Sequence, residues 1–392
     1  MSNEFERKEK GDLPVIAICY DFDKTLSPDD MQAQGFIQSV GYDVKTFWTK
    51  SNCLARENEM DQNLAYMYTM LDTSIGRNPV TKKLLREHGS KVKLFPGVEQ
   101  WFSRIKNFGI EHNVIIEHYI ISSGLKEMIE GNEIAKEFEK IYASSFYFDK
   151  ESDVARWPAQ SVNYTNKTQF LFRIQKGVLN INDQGVNEKF SPEKIRIPFR
   201  NMVYIGDSDT DIPCMKLVNA NGGHSIGVYD KATMDKTKVL RMMRDERIRY
   251  FAPADYTENS KLDNLVKQMI LRTKENEKLE SFHIENLQEQ RKYDNGLDEN
   301  KKHKQDLIFS LECSNCFAKT HEVVNDLRKI QDWDADEIES LFKIGHLNSQ
   351  VRAILEDDDV KLFFSKLLDN KECDKTRKYA KQIIDDINES DS

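Results

Sequence analysis

An apolar run, Val15–Tyr20 (VIAICY), leads without a break into Asp21-Phe22-Asp23, and a second, in NMVYIGDSDTD, leads into Asp207. An unbroken apolar run of that length reads as a strand covered on both faces, the habit of a central strand in a parallel sheet. A carboxylate at the end of such a strand costs several kcal/mol unless a partner compensates it. The carboxyl ends of parallel strands are also where open α/β sheets place their ligands. Acids at two such ends therefore ask for a cation and a substrate.

The rest of the first 270 residues alternates in the same way. FPGVEQWFSRIKNFG reads as a helix between Pro96 and Gly109, and HYIISSG as a strand that stops at Ser122. KIYASSFYFD reads as a strand with VARWPAQSVNY as its partner, and KTQFLFRIQKG as a helix ending near Gly177. After the strand before Asp207 come a helix through IPCMKLVNA, a strand at HSIGVY, a helix, a short strand near Phe251 and a helix over NSKLDNLVKQMI. Strands alternating with helices predict an α/β fold with a parallel, helix-flanked sheet.

One block breaks the alternation. Between the first two strands, helical segments run to Gly41, Gly76 and Gly89. That is too long for a crossover and predicts a separate helical insertion, a cap over the strand ends. The expected core is thus 1–27 with 93–273, and the cap is 28–92. Residues 274–306 are densely charged and read as a helical or flexible connector. From Leu307 apolar residues return at helical spacing, and Asp334 with Glu337 makes a capping-box-like start. Residues 307–392 should form a small all-α module.

Charge and targeting narrow the function classes. Lys and Arg number 57 against 66 Asp and Glu, a formal charge of −9, which disfavours non-specific binding to nucleic acid or anionic membranes. The start, MSNEFERKEKGD, has no apolar signal core, and no run approaches the roughly 18 apolar residues of a membrane span. Six scattered cysteines suggest no disulfide framework, so a reducing cytoplasm is the expected compartment.

Four signals then occur in order: Asp21 and Asp23 in DFDKT, Ser122 in IISSG, Lys167 in NKTQF, and Asp207 with Asp211 in GDSDTD. Together they suit phosphoryl transfer through an aspartyl-phosphate. Asp21 and Asp207 can converge on one Mg2+, for which two carboxylates and a backbone carbonyl suffice beside water. Asp21 is the natural nucleophile. Asp23 is expected with its carboxyl off the ion, protonating the leaving alkoxide and then activating water. The metal set is accordingly Asp21, Asp23 and Asp207. Thr25, Ser122, Ser123 and Gly124 form the phosphate-binding set, with the Ser123 and Gly124 amides donating at a helix start. Lys167 adds fixed positive charge. Asp211 should anchor Lys167 or complete the metal shell.

On these motifs the chain from about 14 to 272 resembles a haloacid dehalogenase (HAD) superfamily phosphatase. DFDKTLS, IISSG, Lys167 and GDSDTD match the four motifs of that superfamily, and the second aspartate, Asp23, matches its phosphatase and phosphotransferase branches. The insertion is similar in position to the C1 cap of phosphoserine phosphatase-like members. The resemblance implies a Rossmann-like core, magnesium dependence and a phosphorylated small molecule as substrate. It implies Asp21 as nucleophile, Asp23 as acid and base, Ser122 and Lys167 as phosphate binders, and Asp207 as metal ligand. SSG stands where many relatives have SGG, and the pattern stops near residue 273.

Other signals are weaker. The cap should set the leaving group, with Trp48, Lys50, Arg56, Tyr66 and Tyr68 as candidates against a plain core role. Cys313 and Cys316 in CSNC have half a zinc site's spacing, with His303 and His321 nearby, but read better as structural thiols. His224 reads as a loop histidine, and Asp357-Asp358-Asp359 as a helix start. Two rival readings stay open. One is a nucleotide-directed phosphatase, either a 5′-nucleotidase or a polynucleotide-end phosphatase. The other is a regulatory protein whose module at 307–392 binds a protein partner or self-associates.

Overall fold

The structure, a computed structural model, describes residues 5–296, 299–375 and 377–389. The chain forms two compact units, the first ending at Phe282 and the second beginning at His283.

The first unit is built on seven strands: β1 (Val15–Tyr20), β2 (Ile115–Leu125), β3 (Lys140–Phe148), β4 (Ala155–Gln160), β5 (Met202–Gly206), β6 (His224–Tyr229) and β7 (Tyr250–Pro253). Their order is β4-β3-β2-β1-β5-β6-β7, parallel throughout except for the antiparallel pair β3 and β4. The unbroken apolar run in β1 follows from burial on both faces. Ile16, Ile18 and Tyr20 join one core cluster, and Val15, Ala17 and Cys19 join the other, as the two-residue period of a strand requires. Helix Val98–Glu111 covers the first face with Val98, Trp101, Phe102 and Ile105. Helices Lys167–Lys176 and Ile212–Ala220 cover the second with Phe170, Ile174, Met215 and Val218.

The insertion is helical: Phe36–Ser39, Val44–Glu57, Gln62–Ser74 and Lys82–Gly89. Its apolar residues do not make a core of their own. Phe36, Phe47, Met67, Met70 and Leu85 belong to the cluster that also holds Ile16 and Trp101. The helix that follows β7 runs from Lys261 to Gly296, well beyond the NSKLDNLVKQMI segment, so the charged stretch up to Gly296 is helical.

The second unit packs helices Glu299–Glu312, Phe317–Leu327, Ala335–Leu347, Asp358–Leu368 and Lys378–Glu389 around Leu311, Val324, Leu341, Phe342, Phe364 and Ile383. Asp334 accepts from the amides of Asp336 and Glu337, while Glu337 accepts from Asp334 N, a complete capping box. Among the described residues, no helix is long and apolar enough to cross a membrane.

Candidate active site

The chain leaves β1 toward β2 on one side and returns to β5 on the other, so the carboxyl end of β1 lies at the topological switch point of the sheet. Asp21 is the first residue past β1, and its amide donates to Ile205 O of β5 at 3.0 Å. Asp207 is the first residue past β5. Asp21, Asp207 and Asp211 each place a carboxylate oxygen within 4.8 Å of the others.

Lys167 opens its helix and is fully buried. Its Nζ donates to Asp21 Oδ2 at 3.1 Å and to Asp211 Oδ1 at 2.7 Å. Asp211 also accepts from Tyr204 OH at 2.9 Å, Ser208 N at 3.1 Å and Ser208 Oγ at 3.0 Å. Four donors leave its carboxylate little capacity for a further ligand, so Asp211 anchors Lys167. Gly206 allows that approach, since a Cβ there would stand 2.5 Å from Asp211 Oδ2.

The acidic cluster shares Asp21 and Asp207 with the set expected from the sequence and has Asp211 as its third member. The carboxyl of Asp23 lies outside it. The reason is local: Asp23 Oδ1 accepts from Met31 N at 2.9 Å, which turns the side chain toward the start of the insertion. Thr25 is wholly buried with an unpartnered Oγ1, and its carbonyl accepts from Tyr256 OH at 2.9 Å.

Burial raises the pKa of Asp21, opposed chiefly by the Lys167 charge. Burial, then the charges of Asp30 and Asp21, push Asp23 well above the usual carboxylate range. Burial pushes Asp207 up to about 7 despite Lys238, whose Nζ stands 3.3 Å from Asp207 Oδ2. Burial disfavours the charge on Lys167, but Asp21 and Asp211 outweigh it and hold the ammonium protonated. Asp21, Asp23 and Asp207 are thus all raised by burial despite Lys167 and Lys238, which leaves the site short of positive charge.

The phosphate segment of β2 differs from expectation in its backbone. The strand does not stop at Ser122; it continues to Leu125 with a register shift between Ser122 and Leu125. The helix that follows, Lys126–Gly131, has Leu125 as its cap. Ser122, Ser123 and Gly124 therefore sit in a strand-end irregularity, and their amides are not the first turn of a helix. The Ser122 hydroxyl faces Asp21 and favours its charged form, and Ser122 Oγ accepts from Gly124 N at 3.1 Å. Gly124 has no room for a side chain: a Cβ would meet Met31 Cε at 2.3 Å and Asp23 Oδ2 at 3.1 Å.

Of the insertion's candidates, Tyr66 reaches this segment, its OH donating to Ser123 O at 2.8 Å. Trp48 packs edge-on against Tyr66 with ring centroids 6.0 Å apart. Lys50 pairs with Asp72 at 2.6 Å, Arg56 is exposed, and Tyr68 lines a separate apolar cleft with Leu71, Ile75 and Trp157. His224 starts β6, at the end of the parallel sheet opposite the acids, where it is buried beside Tyr250. Cys313 and Cys316 are exposed free thiols. His321 instead contacts Asp357 at 3.2 Å and Asp359 at 2.9 Å.

Sequence reasoning did not single out Lys24, Lys238 or Tyr204. Lys24 has a left-handed backbone (φ 56°) and pairs with Asp30 at 2.9 Å. Its place between the two aspartates and Thr25 was a signal. Lys238 carried none, because its helix meets Asp207 only through the fold.

No family model matches the chain. It is 27% identical over 282 residues to an uncharacterized protein of Borreliella burgdorferi, an overlap of 65% of this chain and 96% of that protein. Among solved structures it is similar to a HAD family hydrolase from Salmonella enterica serovar Typhi, with TM-score 0.44 and 18% identity over 66% of this chain and 72% of that one. It is similar to a phosphoserine phosphatase caught as a phospho-aspartyl intermediate analogue, with TM-score 0.41 and 14% identity over 65% and 99% of the two chains. A third is cytosolic 5′-nucleotidase IIIB bound to cytidine, with TM-score 0.40 and 15% identity over 68% and 87%. The solved structures that this chain resembles thus include HAD-family hydrolases and phosphoserine phosphatases, while its carboxy-terminal region is unrecognised.

Proposed function

We propose that the first unit is a HAD-type phosphatase that hydrolyses small phosphomonoesters through a phosphorylated Asp21. The observation that carries this reading is the buried Lys167 held between Asp21 and Asp211, beside Asp207, at the switch point of the sheet. A solvated loop of acids would not enclose a lysine with no exposed surface.

The residues present fit a divalent cation. Asp21 and Asp207 are carboxylates from adjacent strand ends, both raised by burial and in want of countercharge. They would hold Mg2+, which when bound neutralises phosphoryl charge and orients the group for in-line attack. Asp21 attacks phosphorus as its P–O ester bond breaks. Burial raises the pKa of Asp23 and so favours its protonated form, which can give its proton to the departing alkoxide. Asp23 then takes a proton from the water that attacks the acyl-phosphate, releasing inorganic phosphate and restoring Asp21. Lys167 and the Ser122 hydroxyl hold the phosphoryl oxygens as negative charge builds on them.

The test is phosphate release from phosphoserine, sugar phosphates, nucleoside monophosphates and a 3′-phosphorylated oligonucleotide, with and without magnesium. Magnesium-dependent release supports the reading, and preference for nucleoside monophosphates would assign it to the nucleotide-directed branch. No release from any of them would overturn it.

A further inference from the structure

We propose that the start of the helix Gln62–Ser74 is a brace that fixes the site's two phosphate-gripping segments against each other, with Asp61, Asn163 and Tyr66 as positioning residues. The inference rests on the phosphatase reading above for what the segments grip, and on geometry for the brace itself.

Asp61 does two separate jobs. Its Oδ1 accepts from Asn63 N at 3.0 Å and Leu64 N at 2.9 Å, an ordinary helix N-cap. Its Oδ2 accepts from Asn163 Nδ2 at 2.7 Å, about a hundred residues away, which capping does not require. Ser161 Oγ adds a bond to Oδ1 at 3.1 Å, and Asn63 Nδ2 donates to Val162 O at 2.6 Å. Three bonds therefore tie this helix start to residues 161–163.

That segment delivers Lys167. The carbonyl of Asn163 accepts from Lys167 N at 3.0 Å, and its Oδ1 accepts from Thr165 N at 2.9 Å. Asn166 closes the turn, with Nδ2 donating to Ser161 O at 2.8 Å and Oδ1 accepting from Asn163 N at 2.9 Å. Five residues beyond Asp61, Tyr66 OH holds the Ser123 carbonyl in the strand-end irregularity that presents Ser122. The same short stretch of helix thus touches the loop before Lys167 and the segment around Ser122. Displacing it would loosen both phosphate contacts, and placement errors of that kind are costly to catalysis. The consequence is that the insertion does not lift at this corner during turnover, so its Tyr66 face is a support, with substrate selection left to other residues.

A swap of polarity tests it on the full chain. Asp61→Asn keeps the capping oxygen but turns an amide toward the Asn163 amide. Asn163→Asp sets two carboxylates face to face. The double variant Asp61→Asn with Asn163→Asp restores a donor opposite an acceptor. Each single change should weaken inorganic phosphate binding in magnesium buffer, read by calorimetry, by about tenfold, and the swap should recover most of it. Single variants that bind phosphate as the wild type does, or a swap that recovers nothing, would overturn the brace. If the wild type neither binds phosphate nor hydrolyses any ester, the phosphatase reading fails, and amide exchange then decides the brace. Faster exchange at 163–170 together with 62–66 in the single variants, reversed in the swap, supports it. Faster exchange confined to 62–66 marks Asp61 as an N-cap and nothing more.

Discussion

The two units of this chain hide different things. The first buries Asp21, Lys167, Asp207 and Asp211 together, and also buries Glu117 with Arg196. Among the described residues of the second, the buried polar side chains are Ser314 and Thr320, and its ion pairs, such as Lys304 with Glu337, are only partly buried. A buried charge is costly unless held by partners, so a chain that buries several in one place has organised the fold around them. The helical unit shows what packing alone looks like: Phe342, Phe364, Leu341 and Ile383 in one cluster, with no acid or base fully buried among its described residues.

The comparison is most exposed at Lys167. Lys167→Met would leave Asp21 and Asp211 facing each other in a dry site, costing about 3–5 kcal/mol in denaturant unfolding of the first unit. Phosphate release should fall by about a hundredfold or more. A mild effect on both would break the contrast. In the second unit the largest effect should come from apolar truncation. Phe364 packs so close to Gly345 that a Cβ there would stand 2.8 Å from its ring, and Phe364→Ala should cost about 3–5 kcal/mol in the exchange stability of the helical unit.

Glu127 sharpens the contrast through pH. Burial raises its pKa from the ordinary 4.5 to about 7, and its Oε2 has no partner. A carboxyl whose folded pKa is raised favours the folded state below its unfolded value. That advantage is lost as pH rises from about 4.5 through about 7, a change of about 2–3 kcal/mol. Glu127→Gln removes the titration, so thermal unfolding of variant and wild type should diverge in the variant's favour across that window. His321 is the surface counterpart. Its hydrogen bond to Asp359 raises its pKa, so the pair stabilises below the ordinary histidine value and fades as pH rises through the folded one. The site is partly exposed, and His321→Ala should cost only about 0.5 kcal/mol at pH 6 and less in high salt.

Much of the first unit was legible because its signals are local. The apolar run of β1 needs both faces buried, and the acids that follow must then sit at a strand end. Lys167 was legible through its place in the order of motifs. Three features were not. The register shift after Ser122 depends on pairing with β3, which a strand's own sequence does not specify. The insertion looked like a separate cap because its helices carry caps and stops of their own, while the faces that merge Phe47 and Met67 into the sheet's core show only in three dimensions. Asp61 read as an ordinary helix start, and Asn163 as one polar residue in a turn; their bond joins positions far apart in sequence. In the second unit the capping box at Asp334 was legible, and no constellation there named a chemistry.

The most direct test of the account is to catch the covalent intermediate. A single turnover with a reactive phosphomonoester in magnesium buffer, quenched in acid, is digested and the peptide carrying Asp21 is weighed. The account predicts a phosphoryl increment on Asp21 that hydroxylamine removes and that is absent in Asp21→Asn. Phosphate release with no increment on that peptide, or undiminished release by Asp21→Asn, would contradict it.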